Sequence, residues 1–311
     1  PDMSSFVIEG GHRLHGTITP AGAKNEALQV ICATLLTDKE VTISNVPDIA
    51  DVNNLISLLA DMGVKVTDCG NHCWSFRADA IDTSYFDTRE YVRRSNALRG
   101  SIMLLGPILT RFHKAVVARP GGDKIGRRPI DTHLEGLRNL GASFDYDAET
   151  ASYVLTTDRL KGCDMVLAEA SVTGTANVIM AAVLAKGRTT IYNAACEPYV
   201  QQLCRMLVRM GARMEGISSN FLTIDGVDSL QGCSHEILPD MIEVGSFIAT
   251  AAMTQSALTI KNVSYSNLGV IPGSFRKMGV NLVQQGDDIY VPEQSEYEID
   301  SYLDGSIMKI A

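Results

Sequence analysis

Apolar and polar positions along the chain recur in a fixed order, and that order repeats. Each copy begins with a mostly apolar stretch of helical length: Asn25 to Leu36, Ser95 to Leu109, Val172 to Ala185 and Ile242 to Met253. A short strand follows, marked by Thr42-Ile43-Ser44-Asn45, Thr190-Ile191-Tyr192-Asn193 and Thr259-Ile260-Lys261-Asn262, with Val116-Val117-Ala118-Arg119 as a degenerate version. An amphipathic helix comes next; in the first copy Val52, Leu55, Ile56 and Leu59 recur at i, i+3, i+4 and i+7, one helix face. Gly63, Gly141, Gly211 and Gly279 then stand where such a helix ends in a left-handed residue, a period of about 70 residues. A two-strand hairpin closes the copy, as in Ala212–Met214 with Phe221–Ile224 across Ser218-Ser219-Asn220. The predicted unit is βαβαββ, an α/β (α+β) class in which consecutive units must pack together to cover their helices. Four copies are present, and Glu298–Ala311 reads as the start of a fifth.

The second copy is longer than the others. From the strand motif to the closing glycine it spans twenty-two residues (Arg119 to Gly141), against eighteen in the first and third and seventeen in the fourth. The extra length coincides with Arg119-Pro120-Gly121-Gly122-Asp123-Lys124-Ile125-Gly126-Arg127-Arg128-Pro129. Three glycines let this backbone bend, two prolines fix its ends, four cations surround it and one carboxylate sits in the middle. Such a loop can fold over a small anion and place an acid beside it; a solvated surface loop is the plain alternative. Its place as an elaboration of a repeated scaffold favours function.

Composition sharpens this. The 311 residues are 45% apolar and 20% charged with a formal charge of −9, which argues against nucleic acid or an anionic membrane as the main partner. Yet ten Lys/Arg fall between Arg89 and Arg128 with only Glu90 and Asp123 as acids, a concentration suited to a small anionic ligand. The seven cysteines (32, 69, 73, 163, 196, 204, 233) are odd in number and scattered, which fits free thiols in a reducing cytoplasm. Cys69, His72 and Cys73 lack a second ligand pair at zinc spacing and read as a hairpin turn; no metal and no cofactor is expected. Nothing reads as a signal peptide or a bilayer-spanning run, and Pro1 in place of Met suggests a start that was processed or introduced for production.

Three helix starts carry candidate chemistry. Ala21-Gly22-Ala23-Lys24-Asn25 adds a full charge to the exposed N–H groups of the first helix, an anion site by design, though the spacing is not that of a P-loop. Ser171-Val172-Thr173-Gly174-Thr175 opens the matching helix of the third copy, where a hydroxyl could hold phosphate or serve as an N-cap; taken alone, the cap is favoured. The second copy carries Arg93, Arg94 and Arg99, the last within an apolar stretch where it needs an anionic partner, a ligand or an internal carboxylate. If internal symmetry brings these helices together, their positive ends converge.

Several segments also resemble a known family. Gly22-Ala23-Lys24-Asn25, Pro120-Gly121-Gly122 with Gly126, Arg128-Pro129 with Asp131 and His133, Ser171-Val172, and Asn193-Ala194-Ala195 with Glu197-Pro198 are similar to UDP-N-acetylglucosamine 1-carboxyvinyltransferases, the enolpyruvyl transferases of the first committed step of peptidoglycan synthesis. The resemblance runs in register from about residue 6 onward. The sister enolpyruvyl transferases of the shikimate pathway carry Lys-Ser where this chain has Lys24-Asn25.

The resemblance implies an inside-out α/β barrel of βαβαββ units in two domains: residues 24–238 as the first, and 1–23 with 239–311 as a second that is incomplete here. It implies a cytoplasmic enzyme that binds phosphoenolpyruvate and UDP-N-acetylglucosamine. Lys24, Arg99 and Arg128 match the family's clamp on phosphate and carboxylate. Asn25, Pro129, Ile130, Asp131, Thr132, His133, Glu169, Ala170, Ser171, Val172 and Glu197 fall at the nucleotide-sugar site. Asp123 takes the place of the loop proton donor, where most members carry Cys; alkylation by fosfomycin is therefore not expected. Cys196 stands where members often carry Arg, and the family's second catalytic Asp would lie beyond Ala311. The alternatives are a shikimate-pathway transferase, a non-catalytic nucleotide-sugar-binding fragment, and a repeat protein with no site.

Overall fold

The computed structural model of the chain describes residues 5–118, 130–150 and 152–307, with the side chains of Arg99 and Ala118 outside that description. The first copy holds β1 (His15–Ile18), α1 (Lys24–Ala33), β2 (Glu40–Ser44), α2 (Ala50–Asp61), β3 (Lys65–Gly70) and β4 (Cys73–Arg77). The second holds α3 (Arg89–Ala97), α4 (Leu105–Phe112), β5 (Lys114–Ala118), α5 (Asp131–Asn139), β6 (Ser143–Asp147) and β7 (Ser152–Thr156). The third holds β8 (Asp164–Val166), α6 (Val172–Ala182), β9 (Arg188–Tyr192), α7 (Pro198–Arg209), β10 (Arg213–Glu215) and β11 (Phe221–Asp225). The fourth holds β12 (Cys233–Glu236), α8 (Met241–Met253), β13 (Ala257–Ile260), α9 (Ile271–Lys277), β14 (Val283–Gln285) and β15 (Asp288–Val291).

In the first, third and fourth copies the marked strand is the parallel partner of one strand and the antiparallel partner of another. The sheet orders are β12-β2-β4-β3, β8-β9-β11-β10 and β1-β13-β15-β14, with a three-stranded β5-β7-β6. Early in the chain, β1 pairs in parallel with β13, His15 opposite Ala257, and β12 pairs in parallel with β2, Cys233 opposite Val41. The chain accordingly divides into two compact units, Gly22–Leu238 and the remainder on either side of it in sequence.

The recurring Asn has a structural reason. Asn45, Asn193 and Asn262 leave their strands with φ of 56°, 58° and 51°, the left-handed region that Asn tolerates better than most residues. The Asn45 amide donates to Ile237 O at 2.8 Å and the Asn193 amide to Leu167 O at 3.0 Å, so each ties its strand to the parallel neighbour. The closing glycines sit just past their helices at φ of +99°, +98°, +107° and +81°, and the next N–H reaches back to the helix, as from Val64 to Leu59 O at 3.0 Å. Cys69 and Cys73 flank a hairpin turn in which Asn71 and His72 have φ of 50° and 58°.

The inside-out character shows in what is buried. In the larger unit α6 is covered on every side from Gly174 to Ala182, and α1 is nearly so. α6 packs on both α1 and α4, while the strands alternate a buried and a solvent face, as in β9, where Thr189 and Ile191 point inward. The smaller unit has its own core, built on Val244, Ile248, Ile260, Val263, Ile289 and Val291.

The second copy departs from the expected pattern twice. No strand opens it among the described residues; a 3-10 turn at Thr83–Asp87, capped by Asp82, stands there instead. The continuous helix expected over Ser95 to Leu109 is broken: Leu98 is extended at φ −110°, ψ 109°, a 3-10 turn spans Arg99–Leu104, and α4 begins afresh. Two backbone groups freed at the break are taken by one side chain. Asn177 of α6 donates to Ile102 O and accepts from Gly106 N–H, both at 2.7 Å. Gly106 allows this approach, since a Cβ there would lie 2.3 Å from Asn177 O. Gly106→Ala should therefore destabilise the larger unit by about 1–3 kcal/mol. The measurement is the urea midpoint followed by fluorescence of Trp74, the single tryptophan.

Candidate active site

Two of the sequence-predicted segments meet at the start of α6. Ser171 caps this helix, its Oγ accepting from Gly174 N–H at 3.1 Å, so the hydroxyl acts as an N-cap. Thr132 of α5 donates its hydroxyl to Glu169 Oε1 at 3.2 Å, and His133 Nε2 lies 3.1 Å from Thr173 Oγ1. A Cβ at Gly174 would come within 2.9 Å of Thr132 Cγ2, so glycine is what lets α5 lie this close. Within the segments, Asp131, Glu169 and Ala170 are exposed, Ile130, Ser171 and Val172 are half-buried, and Thr132 and His133 are buried.

The protonation of His133 follows from its neighbours. Asn177 uses Oδ1 for Gly106 N–H, which leaves Nδ2 to donate to His133 Nδ1 at 2.9 Å. That ring nitrogen must then be the acceptor, and Nε2 carries the proton toward Thr173. His133 is 5% exposed, and burial holds its pKa down at about 4. The imidazole is neutral at physiological pH and braces the start of α6 from within.

The start of α1 is built differently. It has no side-chain cap. Gly22 lies against the backbone of Asn45, where a Cβ would fall 1.8 Å from the carbonyl oxygen. Ala23 N–H donates to Leu238 O at 2.8 Å. Lys24, half-buried, forms an ion pair with Asp51 of α2, and Asn25 is exposed. Glu197 is half-buried at the N-cap of α7, and its Oε2 is buried without a hydrogen-bond partner among the described residues. Nearby Thr175 of α6 accepts from Ala195 N–H at 3.0 Å. Asp123, Arg128 and Pro129 lie outside the described residues, as does the side chain of Arg99.

The cationic concentration seen in the sequence is partly neutralised, by Glu90 within it and by groups from outside it. Arg93 binds Glu90 at 2.8 Å; Arg94 pairs with Asp61 and donates to Ser57 at 2.9 Å; Lys114 reaches Asp87 at 2.6 Å. Arg111 donates to the carbonyls of Leu35 and Thr37 at 2.9 and 3.0 Å. Of the named cations only part is thus available to a ligand. A cavity of about 640 Å³ opens between α2 and the β3–β4 hairpin, lined by Asp48, Asn53, Ile56, Asp68, His72 and Trp74 among others; among the described residues, no predicted site residue borders it. Sequence reasoning missed Asn177 and Glu26, both fully buried. The one available signal was a polar residue inside an otherwise apolar helix.

Arrangement and sequence both point to one fold class. The enolpyruvyl transferase NikO from Streptomyces tendae superposes with a TM-score of 0.79 over 92% of this chain and 67% of its own, at 21% identity. An EPSP synthase from Acinetobacter baumannii does so at 0.70 over 91% and 66%, at 18% identity. At the level of sequence, residues 8–306 match the family model described as EPSP synthase (3-phosphoshikimate 1-carboxyvinyltransferase). Proteins named UDP-N-acetylglucosamine 1-carboxyvinyltransferase are more specific matches: 63% identity in Bacteroides thetaiotaomicron, 62% in Bacteroides fragilis and 59% in Porphyromonas gingivalis. Each alignment covers 99% of this chain and 71% of the relative. The chain belongs to the EPSP synthase family and, within it, to the group of the UDP-N-acetylglucosamine 1-carboxyvinyltransferases.

The buried imidazole ties stability to pH. An unfolded chain protonates this histidine at its ordinary value of 6.5, the folded chain only near 4, so His133 costs nothing above pH 6.5 and disfavours the fold as pH falls from 6.5 toward 4. The loss should reach about 3 kcal/mol at its limit. Urea midpoints taken from pH 7.5 down to pH 4.5 (about the span of the shift) should fall less steeply in His133→Gln, which keeps a donor and an acceptor without titrating.

Proposed function

We propose that this chain transfers the enolpyruvyl group of phosphoenolpyruvate to the 3′-hydroxyl of UDP-N-acetylglucosamine and releases phosphate. The observation that carries the reading is the 63% identity along 99% of the chain to a relative named for this reaction. The reaction needs a proton on the methylene carbon of phosphoenolpyruvate and attack by the sugar hydroxyl on the adjacent carbon. The resulting tetrahedral adduct then expels phosphate and loses a methyl proton to restore the double bond. In this reading Lys24, Arg99 and Arg128 hold the phosphate and carboxylate, and Asp123 delivers the proton as general acid. Its flanking cations favour the ionised carboxylate, and closure of the loop over substrate would restore the acid form.

The nucleotide sugar would lie along Asn25, the segment Pro129 to His133, and Glu169 to Val172. The Thr132–Glu169 and His133–Thr173 contacts support this by joining the two segments. His133 acts there by bracing, since it is buried and neutral. The unpartnered Oε2 of Glu197 supports a ligand donor such as a hydroxyl. The two compact units are read as the family's two domains. Phosphate release from phosphoenolpyruvate should depend on UDP-N-acetylglucosamine and not on shikimate 3-phosphate. Release with shikimate 3-phosphate instead would overturn the reading, and calorimetric binding of the nucleotide sugar without release would favour a binding fragment. Fosfomycin should leave the intact mass unchanged, because Asp123 offers no thiolate; a stable adduct at Asp123 contradicts this.

A further inference from the structure

Glu26 is fully buried one residue past Asn25, and its surroundings are fixed. Its Oε1 lies 2.7 Å from His235 Nε2 of β12, and its Oε2 accepts from Leu238 N–H at 3.2 Å. The other ring nitrogen of His235, Nδ1, accepts from Arg209 of α7. Arginine only donates, so Nδ1 must accept, Nε2 must carry hydrogen, and the Glu26 carboxylate is the terminal acceptor of a directed chain from Arg209 through His235. Cys233, the other titratable group on the same strand facing this chain, lies against Arg209. Burial pushes the Glu26 carboxyl above the ordinary carboxylate range, and the His235 hydrogen bond pulls the other way.

A carboxylate with no exposed surface is costly, and an apolar residue would pack there without that cost. What the carboxylate adds, together with the backbone, is three bonds joining one turn of helix to one stretch of chain. His235 and Leu238 both donate to Glu26, and Leu238 O accepts from Ala23 N–H. On a helix, Lys24 and Asn25 lie off the face that Glu26 buries. We propose that Glu26 is a positioning residue: as an ionised acceptor at the end of the Arg209–His235 relay it fixes the first turn of α1, and so sets how Lys24 and Asn25 meet substrate. This rests on the substrate roles proposed above for those two residues. Protonated, Glu26 would turn a hydrogen toward two donors and find no acceptor, so the turn should loosen as pH falls.

The test reverses the relay. Glu26→Gln alone sets an amide N–H₂ against a donor. Combined with Arg209→Gln, the direction of the relay can invert. The new amide nitrogen at position 26 then donates to His235 Nε2, and His235 Nδ1–H donates to the new amide oxygen at position 209. The amide oxygen at position 26 still accepts from Leu238 N–H. Two readouts are needed, calorimetric titration with UDP-N-acetylglucosamine from pH 8 to pH 5 (a range of about three pH units spanning the acid limb) and amide exchange of residues 22–27. Glu26→Gln should bind about tenfold more weakly and exchange faster, and the double variant should recover both. Wild-type affinity should fall on the acid side where the double variant stays flat. If Glu26→Gln does not fold, the double variant, which restores a matched donor and acceptor at each step of the relay, still decides by its flat profile. Unchanged affinity and exchange in Glu26→Gln, or an acid limb that persists in the double variant, overturns the proposal. If the wild type binds no nucleotide sugar, the reading of function fails, and exchange alone then judges whether Glu26 holds the turn.

Discussion

A helix buried on every side has nowhere to send a polar atom. That constraint governs the larger unit, where α6 packs on α1, α4, α5 and α7 and is covered from Gly174 to Ala182. Each polar group within them must find an internal partner or be left orphaned at a cost. Asn177 meets the constraint by closing the break in the second copy and fixing the tautomer of His133. Glu26 meets it through His235 and Leu238. The candidate site stands at the ends of these helices, so its geometry is inherited from how their interiors were satisfied.

Much of the fold was legible because it repeats. A strand that ends on left-handed Asn and a helix that ends on left-handed Gly are local events, set by the φ each residue tolerates, and local events leave a periodic trace. The second copy was misread for the opposite reason. Gly100 and Gly106-Pro107 are breakers within Ser95 to Leu109 that the apolar run outweighed, and the groups that accommodate the break come from Asn177, over 70 residues away. The apolar run suggested one continuous helix there, and local breakers together with tertiary packing decided otherwise.

The candidate site was legible in part. Residues 131–133 and 169–172 were grouped in the sequence, and in the fold hydrogen bonds join them through Glu169 and the adjoining Thr173. The cationic concentration between Arg89 and Arg128 was overread, because counting charges along a window ignores partners from outside it. Asp61, Asp87 and the carbonyls of Leu35 and Thr37 all lie before the window and take up Arg94, Lys114 and Arg111. Glu26 was invisible for the same reason, since its partner His235 is 209 positions distant.

The pairing of β1 with β13 has a consequence for synthesis. His15 leaves the ribosome long before Ala257, its cross-strand neighbour, and the whole of Gly22–Leu238 is made in between. During that interval β1 has no sheet to join, and its backbone donors and acceptors can be met only by water or by a passing chaperone. The smaller unit can close only once the segment Gly22–Leu238 has been made.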